Sequence, residues 1–228
     1  ERLAKLYGTD KQVSQHRYTN YYSTLFDEDR REQVLNVTEA GILRGSSVHM
    51  WVDYFPRANV WGLDVDMHHY REHPNHRTAE HQARMHLLLC CKSQEDVAKH
   101  RLVSGSMDLV IDDAGLHSLA LQEMLFPLLW PLVKPGGYYV IEDVDPQRGG
   151  LAFTENHSGL SPLLRSVLET HSAFMVDSTP GITPSAWSAW QHKMQRKPVE
   201  GKRWVASRSV HNSHLLVMRK RNEPRTRE

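Results

Sequence analysis

Between Met107 and Val144 the sequence carries two short apolar runs, each closed by a pair of acids. Leu109-Val110-Ile111 leads into Asp112-Asp113, and Tyr138-Tyr139-Val140-Ile141 leads into Glu142-Asp143. Such runs read as buried strands. The apolar stretch 119–133 between them is long enough to cross over, which predicts two parallel neighbours in one sheet. Ligands of such sheets bind just beyond the carboxyl ends of the strands. The acids and His117 are thereby placed at one rim, in a site suited to a metal.

The same alternation extends upstream. Residues 34–38 form a first strand, followed by the turn Glu39-Ala-Gly41-Ile-Leu-Arg-Gly45-Ser46-Ser47 and a helix through Val48, Trp51, Val52 and Phe55. Strand, glycine turn and helix together present backbone N–H groups to a ligand. The glycine spacing is not that of the dinucleotide fingerprint. Residues 60–66 form a second strand with an acidic end, where Asp64 is placed to accept hydrogen bonds from two ribose hydroxyls or, equally, to cap a helix. Residues 85–89 form a third strand, with a helix starting at Ser93-Gln94. Strands alternating with helices predict an α/β fold: a doubly wound, mostly parallel, seven-stranded sheet. A helix is expected over 161–174 and a loop over 177–198. Residues 203–210 and 214–219 are expected to close the sheet as a C-terminal antiparallel hairpin.

With 228 residues the chain is expected to be one domain. Residues 1–30 are an N-terminal helical flap and 31–150 hold the core. Residues 151–228 carry the acceptor loop and closing hairpin, with 222–228 as a tail. Tyr18, Tyr21, Tyr22, Leu25 and Phe26 follow helical spacing, a stripe expected to be core. The sequence starts at Glu1, and no signal peptide or run of about 18 apolar residues is visible, so a cytoplasmic protein without a membrane partner is expected.

The adjacent Cys90 and Cys91 are expected to be buried and unbridged, as in a reducing compartment. His68, His69, His73, His76 and His81 match no standard zinc spacing and are not expected to bind metal. Residues 196–228 hold ten Lys or Arg against three Asp or Glu. With no aromatics interleaved after Trp204 they read as a solvated surface, and a nucleic-acid partner is not expected.

Further motifs carry a resemblance. They are Gly8-Thr-Asp-Lys11 with His16, Tyr18 and Tyr22; Glu39-x-Gly41-x-x-x-Gly45-x-Ser47; Gly62-Leu-Asp64; Ser93-Gln94; Ile111-Asp-Asp113 with His117 and Gln122; Lys134-Pro-Gly-Gly137; and Ile141-Glu-Asp143. In this order the chain resembles the class I S-adenosylmethionine-dependent methyltransferases, and more narrowly the metal-dependent macrocin and mycinamicin type of sugar O-methyltransferase. The resemblance implies a Rossmann-like methyltransferase fold with S-adenosylmethionine and Mg²⁺ as cofactors. It implies Asp113, Glu142 and Asp143 as metal ligands and His117 as general base. Glu39, Gly41, Gly45, Ser46, Asp64, Gln94 and Asp112 are the implied cofactor contacts. The family's Asp-Asp-Gly-Ser-His is here Asp-Asp-Ala-Gly-Leu-His, one residue longer.

The chemistry suits these residue types. A hydroxyl is a poor nucleophile until its proton leaves, and hard oxygen ligands select Mg²⁺, which can acidify it. An imidazole can then take the proton. The expected partner is a hydroxylated small molecule, a sugar of a natural product; a homo-oligomer is left open. The competing readings are a catechol acceptor or a hydroxylase on the same fold, and a non-catalytic binding module using the basic C-terminal segment.

Overall fold

Five parallel strands build the first part of the sheet: β1 (Asn36–Ala40), β2 (Asn59–Asp64), β3 (Met85–Leu89), β4 (Met107–Asp112) and β5 (Val133–Ile141). In the computed structural model, residues 1–72, 78–114, 119–144, 162–177 and 214–222 are described. Two further strands, β6 (Ser172–Asp177) and β7 (His214–Arg219), complete a seven-stranded sheet in the order β3-β2-β1-β4-β5-β7-β6. The order reverses after β1, so the carboxyl ends of β1 and β4 lie side by side, where open sheets of this kind bind ligands.

The strand periodicity sorts side chains between two helix layers. Val37, Leu109, Ile111 and Val140 pack on one face with α1 (Arg2–Tyr7), α2 (Tyr18–Leu25) and α4 (Ser46–Tyr54). Ala40, Val110, Tyr139 and Ile141 pack on the other with α6 (Gln94–Lys99), α7 (Leu119–Leu129) and α8 (Pro162–Thr170). Two short helices, α3 (Glu28–Arg31) and α5 (Ala79–Arg84), lie at the periphery. Arg84 fastens the end of α5 by donating to the carbonyls of Val52, Phe55 and Ala58. No helix among the described residues is long and apolar enough to cross a membrane.

Three expectations are corrected. The helix expected over 161–174 ends at Thr170, and Ser172 already begins β6. The closing antiparallel pair exists, but β6 supplies the partner of β7. Residues 216–219 bond β5 on one side and β6 on the other, which leaves them no edge for a strand from 203–210. Residues 203–210 themselves lie outside the described residues, as do residues 178–198 of the expected loop, while Asp177 ends β6. Cys90 and Cys91 are buried but joined in a disulfide. Side chains of adjacent strand residues point apart; here the chain has left β3, and Cys91 takes a left-handed φ of 85°. A bridge between neighbours still staples no distant elements.

Candidate active site

Alternation decides which rim acids meet. The registers align Glu39 with Ile111, and Ile111 with Val140, on the face covered by α2 and α4. Asp113 and Glu142 are the next residues in that phase, so their carboxylates return to the same side. Asp112 faces the other layer, where the Tyr139 hydroxyl donates to its Oδ2 across 3.0 Å.

Lys11 stands where the acids converge. Its Nζ lies 2.6 Å from Asp113 Oδ2, donates to Glu142 Oε2 and is 3.3 Å from Glu39 Oε1. The lysine side chain is 1 % exposed, Glu39 and Glu142 are equally enclosed, and Asp113 is 22 % exposed. Each acid has further support. Tyr22 donates to Glu142 Oε1 at 2.6 Å, and Gln122 Nε2 donates to the Glu142 carbonyl at 3.2 Å. Ser47 Oγ donates to Glu39 Oε2 at 2.7 Å.

Asp143 sits beside this group with different partners. Both it and Glu142 can serve one rim only if the chain turns after Ile141, and it does: Asp143 takes a φ of 53°. Its Oδ1 accepts from Tyr18 at 2.5 Å and lies 3.3 Å from His16 Nδ1. The expected metal ligands therefore fall into a pair, Asp113 with Glu142, and a neighbour. Among the described residues no three His, Cys, Asp or Glu side chains are grouped as a metal site. The donor chemistry of the pair nonetheless suits Mg²⁺: both are hard oxygen ligands, and the point between them already holds positive charge.

Burial and charge work against each other here. Burial disfavours the Lys11 ammonium, but Asp113, Glu142 and Glu39 outweigh it and hold its pKa well above the ordinary lysine value. Burial also pushes Glu142 up to about 7 against the pull of Lys11, and raises Asp113 well above the carboxylate range, with Glu142 and Glu39 adding to the rise. One ammonium is shared among three carboxylates. Burial, with the adjacent carboxylates, raises Tyr18 and Tyr22 as well, so both phenols stay protonated and act as donors. Asp112 is pushed by burial to about 7, against the lowering pull of its bonds from Tyr139 and the Ala114 amide.

The glycine turn joins this rim directly. Gly41 has a φ of 86°, and a Cβ there would overlap the backbone of Asp113. Gly45 has a φ of 83° and presses on the Tyr70 ring; Ser46 then opens α4. Asp64, at the end of β2, accepts from the Ile42 and Leu43 amides at 3.0 and 3.2 Å through Oδ2, and from the Asp66 amide through Oδ1. It thus braces the turn rather than capping a helix. Gln94, exposed at the start of α6, donates to the Pro127 carbonyl at 2.9 Å. His117 lies outside the described residues, as do His73 and His76. His81 bonds Asp53 at 2.6 Å.

Sequence reasoning gave no role to Lys11, His16, Tyr18 or Tyr22. The tyrosines are core, as their spacing implies, but their hydroxyls also bind the rim acids. The available signal was the polar Gly8-Thr-Asp-Lys11 run ahead of an aromatic helix face.

No family model matches the chain. It is 32 % identical over 194 residues to the mycinamicin VI 2''-O-methyltransferase of Micromonospora griseorubida, covering 80 % of this chain and 46 % of that protein. It is 35 % identical over 183 residues to the 8-demethyl-8-(2-methoxy-alpha-L-rhamnosyl)-tetracenomycin-C 3'-O-methyltransferase of Streptomyces olivaceus, covering 74 % and 44 %. Among solved structures, a mycinamycin-pathway methyltransferase in complex with Mg, SAH and mycinamycin VI aligns over 94 % of this chain and 49 % of its own, at 24 % identity and a TM-score of 0.48. The chain spans about half the length of the curated relatives it matches. By sequence, it is a homologue of the sugar O-methyltransferases of macrolide and tetracenomycin pathways.

Proposed function

We propose that the protein transfers the methyl group of S-adenosylmethionine to a hydroxyl of a small molecule, a sugar unit of a natural product, with the help of Mg²⁺. The observation that carries the reading is the convergence of Asp113, Glu142 and Glu39 on one cationic point at the carboxyl rim of the sheet. Its homologues that carry out sugar O-methylation support it.

When bound, S-adenosylmethionine supplies an electrophilic methyl group, and Mg²⁺ supplies charge that makes a hydroxyl more acidic. The chain's own residues do the rest. Glu39, Gly41, Gly45, Ser46, Asp64, Gln94 and Asp112 form the cofactor side. Asp113 and Glu142, with Asp143 beside them, would hold the metal. Tyr18, Tyr22 and Gln122 fix the acids so that little reorganisation remains when a cation enters. We assign His117 the proton of the acceptor hydroxyl.

The test is methylation of a panel of glycosylated macrolides and aromatic polyketides, read by mass spectrometry with and without EDTA. A gain of one methyl group that disappears with EDTA supports the reading. Failure to bind S-adenosylhomocysteine in a calorimeter, with no product from any acceptor, would overturn it.

A further inference from the structure

Lys11 takes no part in the chemistry just described, yet it occupies the centre of the site. A lysine ammonium is a compact point charge on a flexible four-carbon stem. Here it is fully enclosed and shared by three carboxylates, two of which are the proposed metal pair. Mg²⁺ needs its oxygen ligands at about 2.0–2.1 Å. The oxygens that face the centre, Asp113 Oδ2 and Glu142 Oε2, are already in contact with Nζ.

A second observation gives the ammonium somewhere to go. Glu39 Oε1 is buried without an aligned hydrogen bond, although Nζ is only 3.3 Å away. Buried carboxylate oxygens are costly to leave without a donor. A small shift of Nζ toward Glu39 would satisfy that oxygen and release the other two acids.

We propose that Lys11 is the protein's own cation in this site and the competitor of the divalent ion, which binds Asp113 and Glu142 at the expense of the ammonium's contacts to them. In the ion-free state Lys11 keeps the acids gathered. On loading it retires to Glu39. The inference rests on the metal reading proposed above. A lysine that merely pins the N-terminal segment would not set the affinity for a cation.

The experiment uses Mn²⁺ as the probe, with free Mn²⁺ followed by its solution EPR signal against the full chain without cofactor. Lys11→Met should lower the Mn²⁺ Kd at least about tenfold, and Lys11→Arg should leave it within about threefold of the wild type. Circular dichroism checks that the variants are folded. If Lys11→Met does not fold, ¹⁵N-lysine spectra of the wild-type protein carry the test. The protected Lys11 ammonium signal should move with Mg²⁺ at the midpoint of ion binding. An unmoved signal on a loaded protein, or a folded Lys11→Met with unchanged or weaker Mn²⁺ affinity, overturns the competition and leaves the metal reading standing. If neither wild type nor Lys11→Met binds Mn²⁺, both ideas fall.

Discussion

Tyr18 and Asp143 are bonded to each other twice. The phenol donates to Asp143 Oδ1 at 2.5 Å and accepts the Asp143 backbone N–H at 3.1 Å. This pairing holds the left-handed residue that follows β5 and ties α2 to the rim. Tyr18→Phe should therefore cost about 2 kcal/mol of stability, the order expected for losing a buried bond to a carboxylate. Urea denaturation would measure it; a midpoint equal to that of the wild type would mean the turn is held by other contacts.

Gly41→Ala should be among the most damaging small substitutions. The residue sits at a φ of 86°, and the added methyl would meet Asp113 backbone, which cannot swing aside like the end of a side chain. The expected loss is about 2 kcal/mol or more. Thermal melting and calorimetry with S-adenosylhomocysteine should fall together. Retention of both would show that the turn and the backbone just after β4 are not pressed together in solution.

Asp112 predicts a pH effect. Its carboxyl titrates near 7 in the folded chain against the ordinary 3.8, because burial penalises the charged form. From about pH 4 upward the unfolded chain gives up this proton while the folded chain keeps it. The wild type therefore loses stability as pH rises, and the loss is complete once the folded group ionises near 7. Asp112→Asn removes the penalty and keeps an acceptor for Tyr139. The variant's advantage should grow between pH 5 and pH 8, to at most about 4 kcal/mol at 1.36 kcal/mol per pKa unit. Parallel denaturation curves at the two pH values test this, and a constant difference would argue against it.

His117→Ala should lower methyl transfer by about 10²–10⁴ while leaving S-adenosylhomocysteine affinity near that of the wild type. Single-turnover rates beside calorimetry separate the two effects. An undiminished rate would remove His117 from the mechanism.

The fold was largely legible because period and spacing carry it. The apolar run Leu109–Ile111 and the acids after it place β4, and the crossover stretch forces β5 to lie parallel. The C-terminal strands were harder. Residues 203–210 and 172–177 both alternate well enough to partner β7, and local pattern does not say which edge is vacant. At the site, alternation places Asp113 and Glu142 together, but nothing local tells that a lysine 102 positions upstream of Asp113 reaches between them. Such a pairing depends on the tertiary path of the N-terminal segment. The same holds for Tyr22, whose spacing reveals burial but not the acid at its hydroxyl.

The wedging of β7 between β5 and β6 has a consequence for how the molecule is made. A nascent chain that has emerged as far as Asp177 carries five strands able to zip up in sequence, plus a sixth whose bonding partner is still inside the ribosome. Until residues 214–219 arrive, that sixth strand and the exposed flank of β5 are open to strangers. Synthesis that stalls in this interval should yield aggregates rather than a smaller folded product.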